Sequence, residues 1–515
     1  MGAQSTGQQV QTPADERLKD SEEIQGNILA PFNKPHQVFL FVTFDNDQAA
    51  ARQWLRRLIE RVATTRDVAA HNHEFRKLKA EHGRAKVRAM PKVRRAWTGV
   101  GLTSWGLVTL HPELAADLAA YDAFWRGPLG EGTDEHGNRT APAAVLGDPE
   151  QSDPSDWVVG GPGQPPVGAL VTIAADDQDL LQGRLDEELA ALKVGKDHEL
   201  GVVELPQPDG GTSPGQWGAT LQGVNGSIEH FGFKDGLSQP GIRGFTGEEV
   251  RNGRLENRDR PGSPIIATGE FVLGYPGERG SYLRDRRPNP PEWMRDGSFQ
   301  VFLRLTQNVA GWLEEMERLG TALSEDVAAK VIGRRRDGTP LAGGGTGTGL
   351  NDFDYGDDPL GNDTPRFAHI RRANPRDDAV YNDRSHRLLR RGIPFGPFAN
   401  DLAEARANPV ERGLLLNAFM ASIEDQFEVV QRQWASNADL LPVTPGRGGP
   451  ESAVTDGPDP LIGASTHPCL LRRDGQDPLP LQLPRFVRTT GAVYAFAPSI
   501  STLRGLGSQE SMRDR

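Results

Sequence analysis

A chain of 515 residues is too long for one small core and implies at least two structural units. Its formal net charge of −12 argues against a nucleic-acid partner, which needs a basic face, and no stretch approaches the roughly 20 apolar residues that span a bilayer. The single cysteine, Cys469, excludes an internal disulfide or a thiolate metal cluster, while 60 glycines and 39 prolines predict long, punctuated loops.

Residues 1–24 are rich in Gln, Ser, Thr and charge, and the composition predicts a disordered tail. They carry no basic region followed by an apolar run, so no conventional signal peptide is expected and a cytoplasmic location is the default. Order is expected from Gln25-Gly26-Asn27-Ile28-Leu29. The β-branched and aromatic run His36–Phe44 reads as a strand. Asp45 or Asp47 then caps a helix whose apolar face is Trp54, Leu55, Leu58, Ile59 and Val62. Ala169–Ala174 reads as another strand, followed by a helix from Gln178 to Leu192. The first pattern returns at Ser298–Leu305, a strand leading into a helix with Val309, Trp312, Leu313 and Met316. Gln-Val-Phe-Leu begins at both Gln37 and Gln300, and a Trp-Leu pair follows each. This predicts a duplicated β-α unit, two halves meeting near residue 225, and an α+β protein with antiparallel sheets. Loops are expected over 251–298, 335–366 (with the glycine run Gly343–Gly349) and 440–462. The glycine run lacks the lysine and Ser/Thr of a phosphate loop.

Three segments carry candidate chemistry. His369 lies in Phe367-Ala368-His369-Ile370-Arg371-Arg372-Ala373-Asn374-Pro375-Arg376. There is neither an HExxH pair nor a cysteine cluster, so a single histidine suits haem, where the porphyrin supplies four ligands. Arg371, Arg372, Asn374 and Arg376 offer cations and an amide for haem carboxylates; the plain alternative is a solvated basic loop. Asp235, in Gly232-Phe233-Lys234-Asp235-Gly236, is either a turn aspartate bonded to its own backbone or an acid pointed into a dry pocket. Arg390, in Leu388-Leu389-Arg390-Arg391-Gly392-Ile393-Pro394-Phe395-Gly396, is either a surface charge or a partly buried cation that needs an anion.

Taken together these segments resemble the dye-decolorizing peroxidase family. Gln25–Leu29, Asp156-Trp157-Val158-Val159-Gly160, Asn351-Asp352-Phe353-Asp354-Tyr355 and Ala421-Ser422-Ile423-Glu424-Asp425-Gln426-Phe427 are also similar to family segments, so the likeness runs from about residue 24 to 500 and fits the longer, fungal-like branches. The resemblance implies two ferredoxin-like domains with antiparallel sheets, over 25–225 and 226–503, haem bound mainly by the second, and a flexible tail over 504–515. It implies haem b with His369 as the axial iron ligand, Asp235 as proton shuttle, and Arg390 as charge stabiliser while the peroxide O–O bond breaks. Hydrogen peroxide and bulky organic reductants, dyes or phenolics, would be the substrates, oxidised in one-electron steps through an oxyferryl state. The alternative on this fold is a haem-binding or haem-delivery protein with little turnover. Asp459 is the candidate carboxylate behind His369, with Asp456 and Glu424 as alternatives. Ser422 and Asp425 read as a helix capping box. Trp434 is either core or a surface electron relay, and its spacing from Phe427 and Val430 favours core. Gly413-Leu414-Leu415-Leu416 offers only leucines where relatives often carry a distal aromatic. A homo-oligomer is left open.

Overall fold

The computed structural model describes residues 16–45, 47–83, 86–87, 90–130, 132–133, 139–140, 146, 152–194, 199–207, 210–223, 226–251, 253–278, 288–345, 351–378, 383–438, 456–464, 467–473 and 475–512. The first half contributes β1 (His36–Thr43), α1 (Gln48–Ile59), α2 (Thr65–His82), β2 (Ala96–Leu102), β3 (Ala169–Ala175), α3 (Gln178–Ala191), β4 (Gly201–Val202) and β5 (Gln216–Ala219). The second contributes β6 (Ser298–Gln307), α4 (Val309–Leu323), α5 (His369–Ala373), β7 (Leu389–Arg390), β8 (Ile393–Phe395), β9 (Gly413–Met420), a π-helix over Ile423–Ala435, β10 (Val487–Ala497) and α6 (Ile500–Leu506).

These strands form one antiparallel sheet in the order β7-β9-β6-β10-β2-β3-β1-β4, with β8 also on β9 and β5 also on β1. Within each half the first strand lies between the third and the fourth, and the second is outermost, so both halves are ferredoxin-like. They join where Leu102 of β2 pairs with Phe496 of β10. The opposite edges also approach: a side chain at Gly218 of β5 would collide with Ile393 of β8. The repeated Gln-Val-Phe-Leu segments explain the result. Period-two alternation sends Phe39 and Phe302 inward, where their ring centroids lie 5.1 Å apart. Val38, Leu40, Val301 and Leu303 face the other way, toward a core shared with Trp54, Leu55 and Leu58 of α1. Phe41, Leu170, Ile393, Phe395, Leu415 and Val493 complete the inner core.

Local signals account for the helices. Asp47 accepts from the Ala50 amide at 2.9 Å to start α1, and Asn308 accepts from Gly311 at 3.0 Å to start α4. Arg304, buried in β6, bonds Gln216 of β5 (2.7 Å) and Glu411 before β9, tying the halves together. Gln25 donates to the carbonyls of Val100 and Pro498, and Arg391 donates to those of Asn27 and Ile28. The segment at 25–29 is thus a pin between halves. Trp157–Gly160 docks on β10, where Val159 bridges Gly491.

Three expectations change. Residues 16–24 are ordered rather than disordered: Arg17–Asp20 form a short 3-10 helix and Ile24 is fully buried, whereas 1–15 lie outside the described residues. The C-terminal stretch is docked as far as Met512, because Leu503, Leu506 and Met512 are apolar anchors and the Met512 amide donates to Glu113. The helix after Ser422 is wound as a π-helix; Ser422 caps the Asp425 amide (3.0 Å), but its own amide donates to Gln426 (2.9 Å), where a capping box would have it meet Asp425. In the glycine run, Gly343–Gly345 belong to a 3-10 turn and 346–350 lie outside the described residues, as do 440–455. Cys469 is a buried small residue. Among the described residues no helix is long and apolar enough to cross a membrane.

Phe39→Ala and Phe302→Ala should each cost about 3–5 kcal/mol of unfolding free energy. Because the two rings touch, the double variant should cost less than the sum, which urea titration would reveal.

Candidate active site

His369 opens α5, a helix of five residues, and its Nδ1 lies 2.7 Å from an oxygen of Asp459. Asp459 is fully buried and held on every side. Its amide donates to Ala435 at the end of the π-helix (2.8 Å), and its second oxygen accepts from Leu461 (2.8 Å). Asp459 therefore occupies the place behind the imidazole. Asp456 faces Arg366 and Arg472 instead, and Glu424 accepts from the Ala123 amide. With Nδ1 engaged, Nε2 is the nitrogen left for a ligand. The residue is packed deep among protein groups, yet 27% of its side-chain surface is open. Burial lowers the imidazole pKa, but the charge and hydrogen bond of Asp459 outweigh it and the net shift is upward. Arg390 pushes it down and Asp235 pushes it up, so both side chains stand within electrostatic reach of His369.

Asp235 and Arg390 are joined through one loop. Arg390, on the outermost strand of the second half, donates its guanidinium to the Ser238 carbonyl (2.7 Å), and its amide and carbonyl both meet the Gln239 side chain. The glycines of Gly232-Phe233-Lys234-Asp235-Gly236 have a direct reason. Gly232 and Gly236 adopt φ of +87° and +73°, and a side chain at Gly232 would also strike Arg336. Asp235 accepts from the Gly236 amide (2.6 Å), as a turn aspartate does, and its side chain is exposed rather than shut in a dry pocket.

The residues after His369 divide. Arg371 stands about 200° round the helix from His369. It is fully buried against Asp358, the Thr364 carbonyl and the Tyr355 ring, so it faces away from the imidazole. Arg372 donates to the carbonyls of Asn437 and Ala438. Asn374 accepts from Arg387. Arg376, held at φ +54°, stacks on Phe353 (3.8 Å) and donates to its carbonyl, while its Nε is buried with no hydrogen-bond partner. Sequence reasoning overlooked Arg334, which a triple-arginine run disguises as solvated charge. It is buried, and desolvation with the like charges of Arg376 and Arg390 brings its pKa down to about 10. Arg376 and Arg390 thus both act on Arg334, and Arg390 acts on His369 as well. One free imidazole nitrogen, an unsatisfied buried guanidine N–H and a cationic cluster are a donor set that fits haem with its two carboxylates. Trp434 is 3% exposed and packs edge-on to His386 (5.2 Å), a core position. Leu415 lies in the inner core, and Leu414 and Leu416 are half-buried.

Residues 23–196 match the family described as "DyP dimeric alpha+beta barrel domain", and residues 284–444 match "Dyp-type peroxidase, C-terminal". The chain is 29% identical to "Multifunctional dye peroxidase DyP2" of an Amycolatopsis species, over 94% of this chain and 95% of that one. It is 25% identical to "Peroxidase 2" of Mycetinis scorodonius, over 97% and 90%. Among solved structures, an ancestral D-type dye decolorizing peroxidase superposes with a TM-score of 0.72 at 26% identity, covering 95% of this chain and 99% of that one.

Because the folded His369 pKa lies above the ordinary 6.5, its pairing stabilises the fold fully below pH 6.5 and less as pH rises through the folded value. In Asp459→Asn the imidazole pKa, followed by NMR in the isolated chain, should fall below the parent's. The stability gap between the two proteins should shrink on the alkaline side.

Proposed function

This chain belongs to the DyP-type peroxidase family, and on that premise we propose that it binds haem b through His369 and reduces hydrogen peroxide at the expense of bulky organic reductants such as dyes and phenolics. The observation that carries the reading is the His369–Asp459 pair at 2.7 Å, with Nε2 free and both Asp235 and Arg390 acting on the same imidazole. Haem, when bound, supplies the iron at which peroxide is activated and the redox equivalents passed on to the reductant. Everything else is the work of side chains.

His369 would hold the haem iron through Nε2. Asp459 accepts the Nδ1 proton, fixes the tautomer and makes the ring more electron-donating. Arg376 and Arg334 supply positive charge for the haem carboxylates. Arg371, turned into its own layer, supports the helix rather than the cofactor, and Asn374 steadies Arg387. Asp235, exposed on a turn with its oxygens reachable, would take a proton from one peroxide oxygen and return it to the other. Arg390 faces the negative charge that builds on the departing oxygen, held in advance by Ser238 and Gln239. Mere haem carriage needs neither of these two groups, which favours turnover over delivery.

The test is reconstitution with haem followed by one equivalent of peroxide in a stopped-flow spectrometer. The Soret band should appear and then change rapidly. His369→Ala should lose the band. Asp235→Asn and Arg390→Leu should keep it and slow the peroxide step by about 10²–10³-fold. A stable band that peroxide leaves untouched would point to the delivery reading.

A further inference from the structure

A second carboxylate stands behind Asp235, and the mechanism above does not use it. Glu229 lies at the start of the loop that ends in Asp235. The loop is a tight closed turn: Glu229 N–H donates to the Phe233 carbonyl (3.0 Å), Gly232 N–H to that of Glu229 (2.9 Å), and Asp235 N–H to that of Ser227 (3.2 Å). The Glu229 side chain folds back into the centre of this turn. One oxygen accepts from the Phe233 amide (2.9 Å); the other accepts from Phe231 (2.8 Å) and from the Gln307 side chain at the end of β6 (2.9 Å). A carboxylate has about four lone-pair positions. Three are filled, and the fourth is open to a proton.

We infer that Glu229 is a positioning residue for Asp235: its carboxyl group clamps the turn that presents Asp235 and, by holding a proton, keeps a second negative charge away from it. The inference rests on the reading of Asp235 as the proton-transferring base. Ionised Glu229 would set two carboxylates against each other across one turn and add negative charge where Arg390 must receive it.

The surroundings agree. Despite three donors, burial and then the like charge of Asp235 push the Glu229 pKa up to about 7. Other charged groups face the turn. Arg336 donates to the Phe231 carbonyl and lies over the Phe233 ring (5.2 Å), but it is exposed. Lys234 sits beside Asp235 and its amide donates to the Arg336 carbonyl. His230 donates from Nε2 to the Phe395 carbonyl (2.8 Å); burial first, with a smaller push from Arg412, brings its pKa down to about 4, so it is neutral. The Phe231 and Phe233 rings enclose the turn against Trp312, at 4.4 and 6.5 Å. The clamp therefore titrates near neutrality.

The experiment has two arms on the full chain. Without haem, the Glu229 carboxyl is titrated by carbon-13 NMR in the parent and in Asp235→Asn; removing the like charge should shift its midpoint to lower pH. With haem, the rate of the peroxide-driven Soret change is followed against pH. The parent rate should fall through a pH of about 7, toward tenfold by about pH 8. Glu229→Gln should lose this alkaline limb. If Asp235→Asn leaves the peroxide step unchanged, the reading of Asp235 fails. If that variant is slow but Glu229→Gln retains the alkaline limb, or the Glu229 midpoint ignores Asp235, the inference about Glu229 fails alone. Should Glu229→Gln not fold, the NMR arm decides.

Discussion

The hydrogen bond between His369 and Asp459 is the constraint on which the rest of this site depends. An imidazole placed deep in protein is disfavoured as a cation and indifferent as to tautomer; a fully buried carboxylate at 2.7 Å settles both matters. The carboxylate in turn must be prevented from wandering, and three separate elements see to it. The π-helix end takes its amide, the Leu461 amide takes its second oxygen, and Arg372 fills the space beside it with bonds to carbonyls of the same helix end. The carbonyl of Ala435 at the end of the π-helix receives the Asp459 amide, and those of Asn437 and Ala438 just beyond it receive Arg372.

The fold sets this pair in the second half only. Both halves share strand order, both send a phenylalanine to the common centre, and either could have borne a site. What differs is the connections. In the second half the turn at 232–236, the α5 segment and the outermost strand with Arg390 converge on one imidazole. The first half supplies fasteners: the carbonyls of Asn27 and Ile28 for Arg391, the next residue after Arg390. The two adjacent arginines thus divide: Arg390 at the end of β7 bonds the Ser238 carbonyl, and Arg391, just past the strand, fastens the partner half.

Much of this could be read from the residues. The duplicated strand-helix units are legible because Gln-Val-Phe-Leu keeps its alternation and its following cap. Gly232 and Gly236 are legible because glycine is the residue that adopts their φ without strain. Asp459 could be chosen by resemblance, but nothing in its own surroundings separates it from Asp456, three residues away, because the difference is made by Ala435 and Arg366 from distant segments. Arg371 misleads for a related reason. A basic residue two positions from a ligand looks adjacent in one dimension, and helical rotation turns it away. Residues 16–24 and the stretch to Met512 read as tails because their composition is polar, yet Ile24, Leu506 and Met512 suffice to dock them.

Net charge says least of all about the site. A chain at −12 nonetheless sets several arginines in or near its interior, and these differ in how far they are committed. Arg372 and Arg391 are surrounded by backbone carbonyls, and Arg371 is locked to Asp358, so they are fixed parts of the scaffold. Arg390, among the described residues, gives its guanidinium a bond to the Ser238 carbonyl alone. A guanidinium has five N–H donors, so most of the fork is available to an anion that arrives or forms there. The scaffold arginines make the interior stiff, and the single-bonded one makes the site responsive. That asymmetry, more than the sum of charges, is what allows the same residue type to build the scaffold and to act on it.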